Sequence, residues 1–171
     1  MNAIWERGLM EENLPVIILP MHSEDVDAVS KIHAEQFVRQ NNSQQWITCN
    51  FAAYPRIMLF VARDEKDKVI GYIQWIQKSG FRKQAVFELE QIAVSGKNQS
   101  CGVGTLLIKQ SLEQIKNYLR DSHSSLKAVL VSTRTDNAAA KLYETVLGAK
   151  KVAEIKSLYS HDEVIMLADS F

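Results

Sequence analysis

Between residues 85 and 119 the spacing of apolar side chains changes period, and this change constrains the fold more than any other stretch. Ala85–Val94 (AVFELEQIAV) is apolar at alternate positions over most of its length, the two-residue period of a strand with one buried face. Over Thr105–Leu119 the apolar residues Ile108, Leu112, Ile115 and Leu119 recur at helical spacing. Polar Ser95–Gly104, with Gly96, Gly102 and Gly104, joins the two. A strand feeding a helix must return its chain to a sheet, and Lys127–Thr133 (KAVLVST), apolar and partly β-branched, is the return strand. The centre of the chain therefore reads as a β-α-β crossover.

The flanks read differently. Val16–Pro20 is a short first strand, and Ser23 caps a helix with the stripe Val26, Val29, Ile32, His33 and Phe37. His33 on that stripe reads as a hydrogen-bonded residue at the core edge. A weaker helix covers Gln44–Ala53. Ile57–Asp64 and Val69–Gln77 form a hairpin through DEKDK. After the crossover, Asp136–Leu147 is a helix capped by Asp136 or Asn137, with Gly148 just past its end. Lys150–Leu158 and Glu163–Ala168 are the last strands. The order β-α-α-β-β-β-α-β-α-β-β predicts a mixed α/β sheet rather than an all-parallel doubly wound one. At 171 residues, with no repeat or Pro/Gly-rich linker, the chain reads as a single domain spanning 1–171, of which 1–14 form an N-terminal extension.

Twenty basic residues balance twenty acidic ones, so no basic excess points to nucleic acid. Cys49 and Cys101 form no C-x-x-C pair and no disulfide framework, and His22, His123 and His161 show no metal-ligand spacing. The start of the chain lacks the pattern of a secretory signal, and no apolar run is long enough to span a bilayer. The expectation is a cytoplasmic protein with no metal and no membrane or nucleic-acid partner.

The loop before the third long helix carries the chemistry. A helix start offers unpaired N–H groups and the positive end of the helix dipole, which suits an anion without basic side chains. The loop lacks the Lys-Ser/Thr pair of a Walker loop, and Leu107 stands where a dinucleotide fingerprint needs its third glycine. Gln99-Ser100-Cys101-Gly102-Val103-Gly104 instead satisfies [RQ]-x-x-G-x-[GA]. Preceded by ELEQIAV and followed first by TLLIKQSLEQI and later by DNAAAKLYETVLGAK, this segment resembles the acyl-CoA loop of the GNAT superfamily of acetyl-CoA-dependent N-acetyltransferases. The resemblance runs over about 57–168, and its sharp motifs over about 86–105 and 132–150. Gly96 and Asn98 stand where the family often has Pro and an aromatic. Asn137 lies six residues before Tyr143, where the family commonly has seven; either Asp136 takes the Asn place or the helix entry is shifted.

The resemblance implies a central, mostly antiparallel sheet of six or seven strands, helices on both faces, and a V-shaped splay between the fourth and fifth strands. It implies acetyl-CoA as co-substrate and a primary amine of a small molecule or peptide as acceptor, an EC 2.3.1 acyltransferase. The N–H groups of Gln99, Ser100, Cys101, Gly102, Val103, Gly104 and Thr105 would hold the pyrophosphate, with Lys97 and Lys109 at the rim. The backbone of Ile92, Ala93 and Val94 would meet pantetheine, a main-chain N–H near Val94 would serve the oxyanion, and Asn137 would contact the cofactor. Tyr143 matches the tyrosine that protonates the leaving thiolate. Glu90 or Glu88 matches the base, with Glu90 nearer the reacting centre. Strand alternation places Glu88, Glu90, Ile92 and Val94 on one face and Phe87, Leu89, Gln91 and Ala93 on the other. Two carboxylates on one face raise one another's pKa.

Cys101 in the loop makes an acyl-cysteine conceivable, but the family transfers acetyl directly and no histidine lies close in sequence. The acceptor region falls at His33–Tyr54 and Leu158–Asp162, where Glu35, Phe37, Trp46, Phe51, Tyr54 and His161 are candidates. A non-catalytic acyl-CoA sensor, or a transferase of longer acyl groups, is the alternative function. A homodimer fits the family habit.

Overall fold

The computed structural model describes residues 15–171; the expected N-terminal extension lies outside them. The strands are β1 (Ile17–Pro20), β2 (Ile57–Arg63), β3 (Val69–Lys78), β4 (Gln84–Val94), β5 (Ser125–Arg134), β6 (Lys150–Ile155) and β7 (Glu163–Ala168). The helices are α1 (Val26–Gln36), α2 (Ser43–Ala52), α3 (Val103–Asp121) and α4 (Ala140–Leu147). One sheet holds all seven strands in the order β1-β2-β3-β4-β5-β7-β6. Every neighbouring pair is antiparallel except β4 and β5, the two ends of the α3 crossover. No described helix is long and apolar enough to cross a membrane.

Helices cover both faces. Leu107, Ile108, Leu112, Ile115 and Leu119 of α3 are buried against Trp75, Phe87, Leu89, Val129 and Val131, together with Tyr143 and Leu147 of α4. Each such side chain contributes roughly 1.5–3 kcal/mol by leaving water. Trp75 brings a polar N–H into this layer and donates it to Ser111 Oγ at 2.9 Å. The opposite face packs Val29 and Ile32 of α1 and Ile47 of α2 against Leu59, Val61, Tyr72, Ile76 and Ala93.

Three boundaries depart from the sequence reading by three residues or more. The first helix starts at Val26, because Ser23–Asp25 is a separate 3-10 turn. Ser23 therefore does not cap α1; Asp25 is buried instead, paired with Arg63 at 2.5 Å and accepting the His22 N–H at 2.9 Å. The α4 helix starts at Ala140 rather than Asp136, because Arg134 grips the Asp136 carboxylate with two hydrogen bonds of 2.8 and 2.7 Å. The sixth strand ends at Ile155, where Asp162 takes the Ser157 N–H at 2.9 Å and turns the hairpin.

Candidate active site

The β4–β5 ladder runs from Gln84↔Ser125 to Leu89↔Val131 and stops there. Beyond that vertex β4 continues to Val94 beside β3, and β5 continues to Arg134 beside β7. A gap thus opens between the two central strands. Ser95 N–H donates to Ile70 O at 2.9 Å, so Ser95 faces β3. In an antiparallel ladder the bonding direction alternates, which turns the N–H and C=O of Val94 and Ile92 into the gap and those of Ala93 towards β3. Ala93 is accordingly not a gap residue, and its side chain is buried towards α1 and α2.

The α3 N-terminus stands just beyond the end of β4. Ser100 (φ 62) and Gly102 (φ 80) both take the left-handed conformation and fold the chain into a tight turn before Val103. No side chain caps α3, and its first N–H groups, before Leu106 N–H bonds Gly102 O at 3.1 Å, have no partner among the described residues. Gly104 lies against α4: an added Cβ would sit 3.3 Å from Leu142 Cδ2. Gln99 reaches back, donating to Val94 O at 2.9 Å and to Gln36 Oε1 of α1 at 2.8 Å. Cys101, Lys97 and Lys109 are exposed, and the Cys101 Sγ bonds only the Gln99 carbonyl, at 3.4 Å, among the described residues.

The expected alternation along β4 fails at one residue. Gln74 pairs with Gln91 and Trp75 with Leu89, so Glu90 is an extra residue, a β-bulge. Up to Leu89 the odd-numbered residues face α3; beyond the bulge Ile92 and Val94 face it instead. Glu88 and Glu90 still share the α1/α2 face, but they share it with Gln91, not with Ile92 and Val94.

The two carboxylates differ in circumstance. Glu88 is held in an ion pair with Lys78 at 2.8 Å. Glu90 has no cation in contact among the described residues and accepts a hydrogen bond from Gln74 Nε2. Burial, opposed by that bond and reinforced by the nearby Glu88, raises its pKa above the ordinary carboxylate range. Gln74 is fully buried and its Oε1 has no partner among the described residues. Tyr143 is buried, its phenol is pushed up to about 12 by desolvation, and its hydroxyl bonds no protein group among the described residues. Asn137 is tied up locally, donating to Thr133 Oγ1 at 2.7 Å and accepting the Ala139 N–H at 3.0 Å. Asp136 is paired with Arg134 at 2.7 Å.

The acceptor candidates do not converge on one spot. Trp46 donates to Gln91 Oε1 at 3.2 Å, and Phe37 stacks on His33 with ring centroids 5.0 Å apart. Phe51 and Tyr54 line a separate cleft with Met58 and Tyr118 at the edge of β2. Glu35 is exposed on α1. His161 Nε2 contacts buried Glu163 at 2.8 Å, and Glu163 also receives Ser132 Oγ at 3.3 Å.

Gln74, Lys78 and Gln91 were not picked out as site residues. The clue for Gln74 was a glutamine in the middle of the apolar strand VIGYIQWIQ, since a buried amide needs partners.

The sequence profile of the Acetyltransferase (GNAT) family matches residues 26–149. The chain belongs to the GNAT acetyltransferase family. Its fold is that of GNAT structures at low identity. Ard1 from Thermoplasma volcanium is 19% identical with a TM-score of 0.69, the match covering 91% of this chain and 98% of that one. An aminoglycoside 6'-N-acetyltransferase complexed with coenzyme A is 13% identical with a TM-score of 0.70, over 90% and 96% of the two chains. A mutant spermidine N-acetyltransferase SpeG from Vibrio cholerae is 16% identical with a TM-score of 0.70, over 89% and 92%. No curated protein sequence matches significantly. The gap between β4 and β5 and the bare start of α3 are features of this GNAT-like sheet and crossover.

Proposed function

We propose that this chain transfers the acetyl group of acetyl-CoA directly to a primary amine, with Glu90 as base. The observation that carries the reading is a half-buried carboxylate with a raised pKa and no cation in contact, on the strand that borders the gap. A base must accept a proton near neutral pH, and burial moves a carboxylate in that direction. An ionised carboxylate only accepts hydrogen bonds, whereas a protonated one also donates. A flip of the Gln74 amide, which would turn its Oε1 towards Glu90, suits a Glu90 that has gained a proton.

In this reading the N–H groups from Gln99 to Thr105 hold the pyrophosphate, and Ile92 and Val94 present main-chain groups to pantetheine. Gln99 now occupies Val94 O, so its amide must yield that carbonyl to a ligand bonding there. The amine nitrogen attacks the thioester carbon and the carbon–sulfur bond breaks. The ammonium sheds two protons in becoming an amide, one to Glu90 and one that water carries to sulfur.

Tyr143 serves the sulfur as a hydrogen-bond donor. Burial pushes the Tyr143 phenol up to about 12, which keeps it in the neutral form that can donate. The GNAT structures named for spermidine and aminoglycoside acceptors suggest the first amines to try. The test is release of free coenzyme A thiol with spermidine, kanamycin, single amino acids and a free-amine hexapeptide. Thermal stabilisation of ~2.7 kcal/mol is expected with acetyl-CoA at about 100 times its Kd. Stabilisation without turnover of any amine would favour the sensor reading, and no stabilisation would remove the cofactor.

A further inference from the structure

One buried amide on β4 makes four polar contacts, and their far ends lie on β3, α1, α2 and the α1–α2 connection. Gln91 Oε1 accepts from Tyr72 Oη at 3.0 Å and from Trp46 Nε1 at 3.2 Å. Its Nε2 donates to Gln40 Oε1 at 3.2 Å and lies 3.4 Å from His33 Nε2. Gln40 Oε1 in turn takes the His33 Nε2–H at 2.9 Å, and His33 Nδ1 meets Ser43 Oγ at 2.8 Å. Burial lowers the pKa of His33, so the ring is neutral and Nδ1 accepts the Ser43 hydroxyl proton.

Two facts separate this cluster from ordinary core satisfaction. Gln40 is exposed and Trp46 is 36% exposed, so the bonds pin a surface segment to the sheet rather than consolidate the interior. The bulge at Glu90 is also what brings Gln91 to this face, directly after the base in sequence. With regular alternation from Leu89, Gln91 would point at α3 and could reach neither Gln40 nor Trp46.

We infer that Gln91 is a positioning residue: it fixes the α1–α2 connection (residues 37–42) and Trp46 over the β4 face beside Glu90, and so sets the affinity for the amine acceptor. The inference rests on the transferase reading above. Acetyl-CoA would be held on the far side of Val94, by the gap and the α3 start, where Gln91 makes no contact. A loss at Gln91 should therefore fall on the acceptor.

Gln91→Met keeps the length of the side chain and removes its hydrogen bonds. On the unliganded protein, amide hydrogen exchange over residues 37–46 should quicken at least tenfold while α3 stays within twofold. In turnover with the best of spermidine, kanamycin and the hexapeptide, acceptor KM should rise at least tenfold. The kcat and the acetyl-CoA KM should stay within about threefold. Gln40→Ala, which leaves the buried end of the cluster in place, should move acceptor KM the same way by about threefold. Ser111→Ala breaks a buried bond on the opposite face and should lower Tm without moving acceptor KM. Unchanged exchange over 37–46 overturns the inference, as does an acceptor KM shift of equal size in Ser111→Ala, or a fall in kcat with acceptor KM unmoved. A wild-type protein that turns over none of the three amines overturns the transferase reading instead, and the exchange pattern tells the two failures apart.

Discussion

Gly102→Ala isolates the conformational demand of the turn before α3. Gly102 has φ 80, and an added Cβ would meet nothing within 4 Å. No clash enters, so the whole effect comes from the backbone. An L-residue in the left-handed region costs roughly 1–2 kcal/mol, and the stiffer unfolded chain returns about 0.4–1 kcal/mol. The net loss is about 1 kcal/mol, or ~2–4 °C in Tm for a chain of this size. Binding suffers separately. If the free variant relaxes to negative φ, the helix-start N–H groups turn away, and restoring them costs ~1–2 kcal/mol, about fivefold to thirtyfold in acetyl-CoA Kd. Gly96→Ala is the internal control. Gly96 opens a 3-10 turn, has open space where a Cβ would go, and has no left-handed φ. Its replacement should gain about 0.4–1 kcal/mol. Melting followed by circular dichroism and acetyl-CoA titration by calorimetry read both quantities. If Gly102→Ala melts no lower than Gly96→Ala and binds acetyl-CoA as tightly as wild type, the turn does not require glycine and the argument for this loop fails.

Glu90→Gln should lower kcat by about 10²–10⁴-fold and flatten the acidic limb of the pH–rate profile; an unchanged profile removes Glu90 as base. The same variant should gain stability, because a carboxyl whose folded pKa is raised stabilises below its unfolded pKa and loses that contribution as pH rises through the folded value. Its Tm should therefore exceed that of wild type at pH 7.5 and match it near pH 4. Tyr143→Phe keeps the buried ring and loses the donor, so kcat should fall about a hundredfold with acetyl-CoA Kd within twofold; equal loss in Kd would make Tyr143 a packing residue. Cys101→Ser should leave kcat within twofold, and acetyl-enzyme in the mass spectrum of wild type would contradict direct transfer. Asp25→Ala removes the buried partner of Arg63, which is only 12% exposed and keeps Asp67 as its remaining partner, and should cost about 1.5–3 kcal/mol in urea unfolding.

The fold was legible because the 85–119 segment is informative at several levels at once: strand alternation, glycine spacing and a helical stripe all agree on one crossover. The bare helix start follows from that unit, whereas the splay of β4 from β5 is what the family resemblance implies and the strand register puts its vertex at Leu89. The failures share a physical cause. Asp136 and Ser23 looked like helix caps because short polar residues cap helices, but long-range or local ion pairs decided the matter: Arg134 took Asp136, and Asp25 turned inward to Arg63. The bulge at Glu90 was invisible because a strand with one extra residue reads like a strand without it, and the pairing with Gln74 and Trp75 is set by β3. The Gln91 cluster gathers residues up to 58 positions apart, so no local pattern announces it.

The gap between β4 and β5 is closed at one end and open at the other, which makes it a ruler. From the vertex at Leu89 to Val94 there are five residues, about 17 Å at ~3.3 Å per residue. The uncapped start of α3 lies at the open end and Glu90 next to the closed one. A ligand anchored by its phosphates at the mouth can place beside Glu90 only a group roughly that far along its own chain. A shorter carrier of the same acetyl group would stop in the middle of the gap, out of reach of the base. On the proposed transferase reading the sheet would therefore discriminate by length, using nothing more specific than the point at which two parallel strands cease to pair.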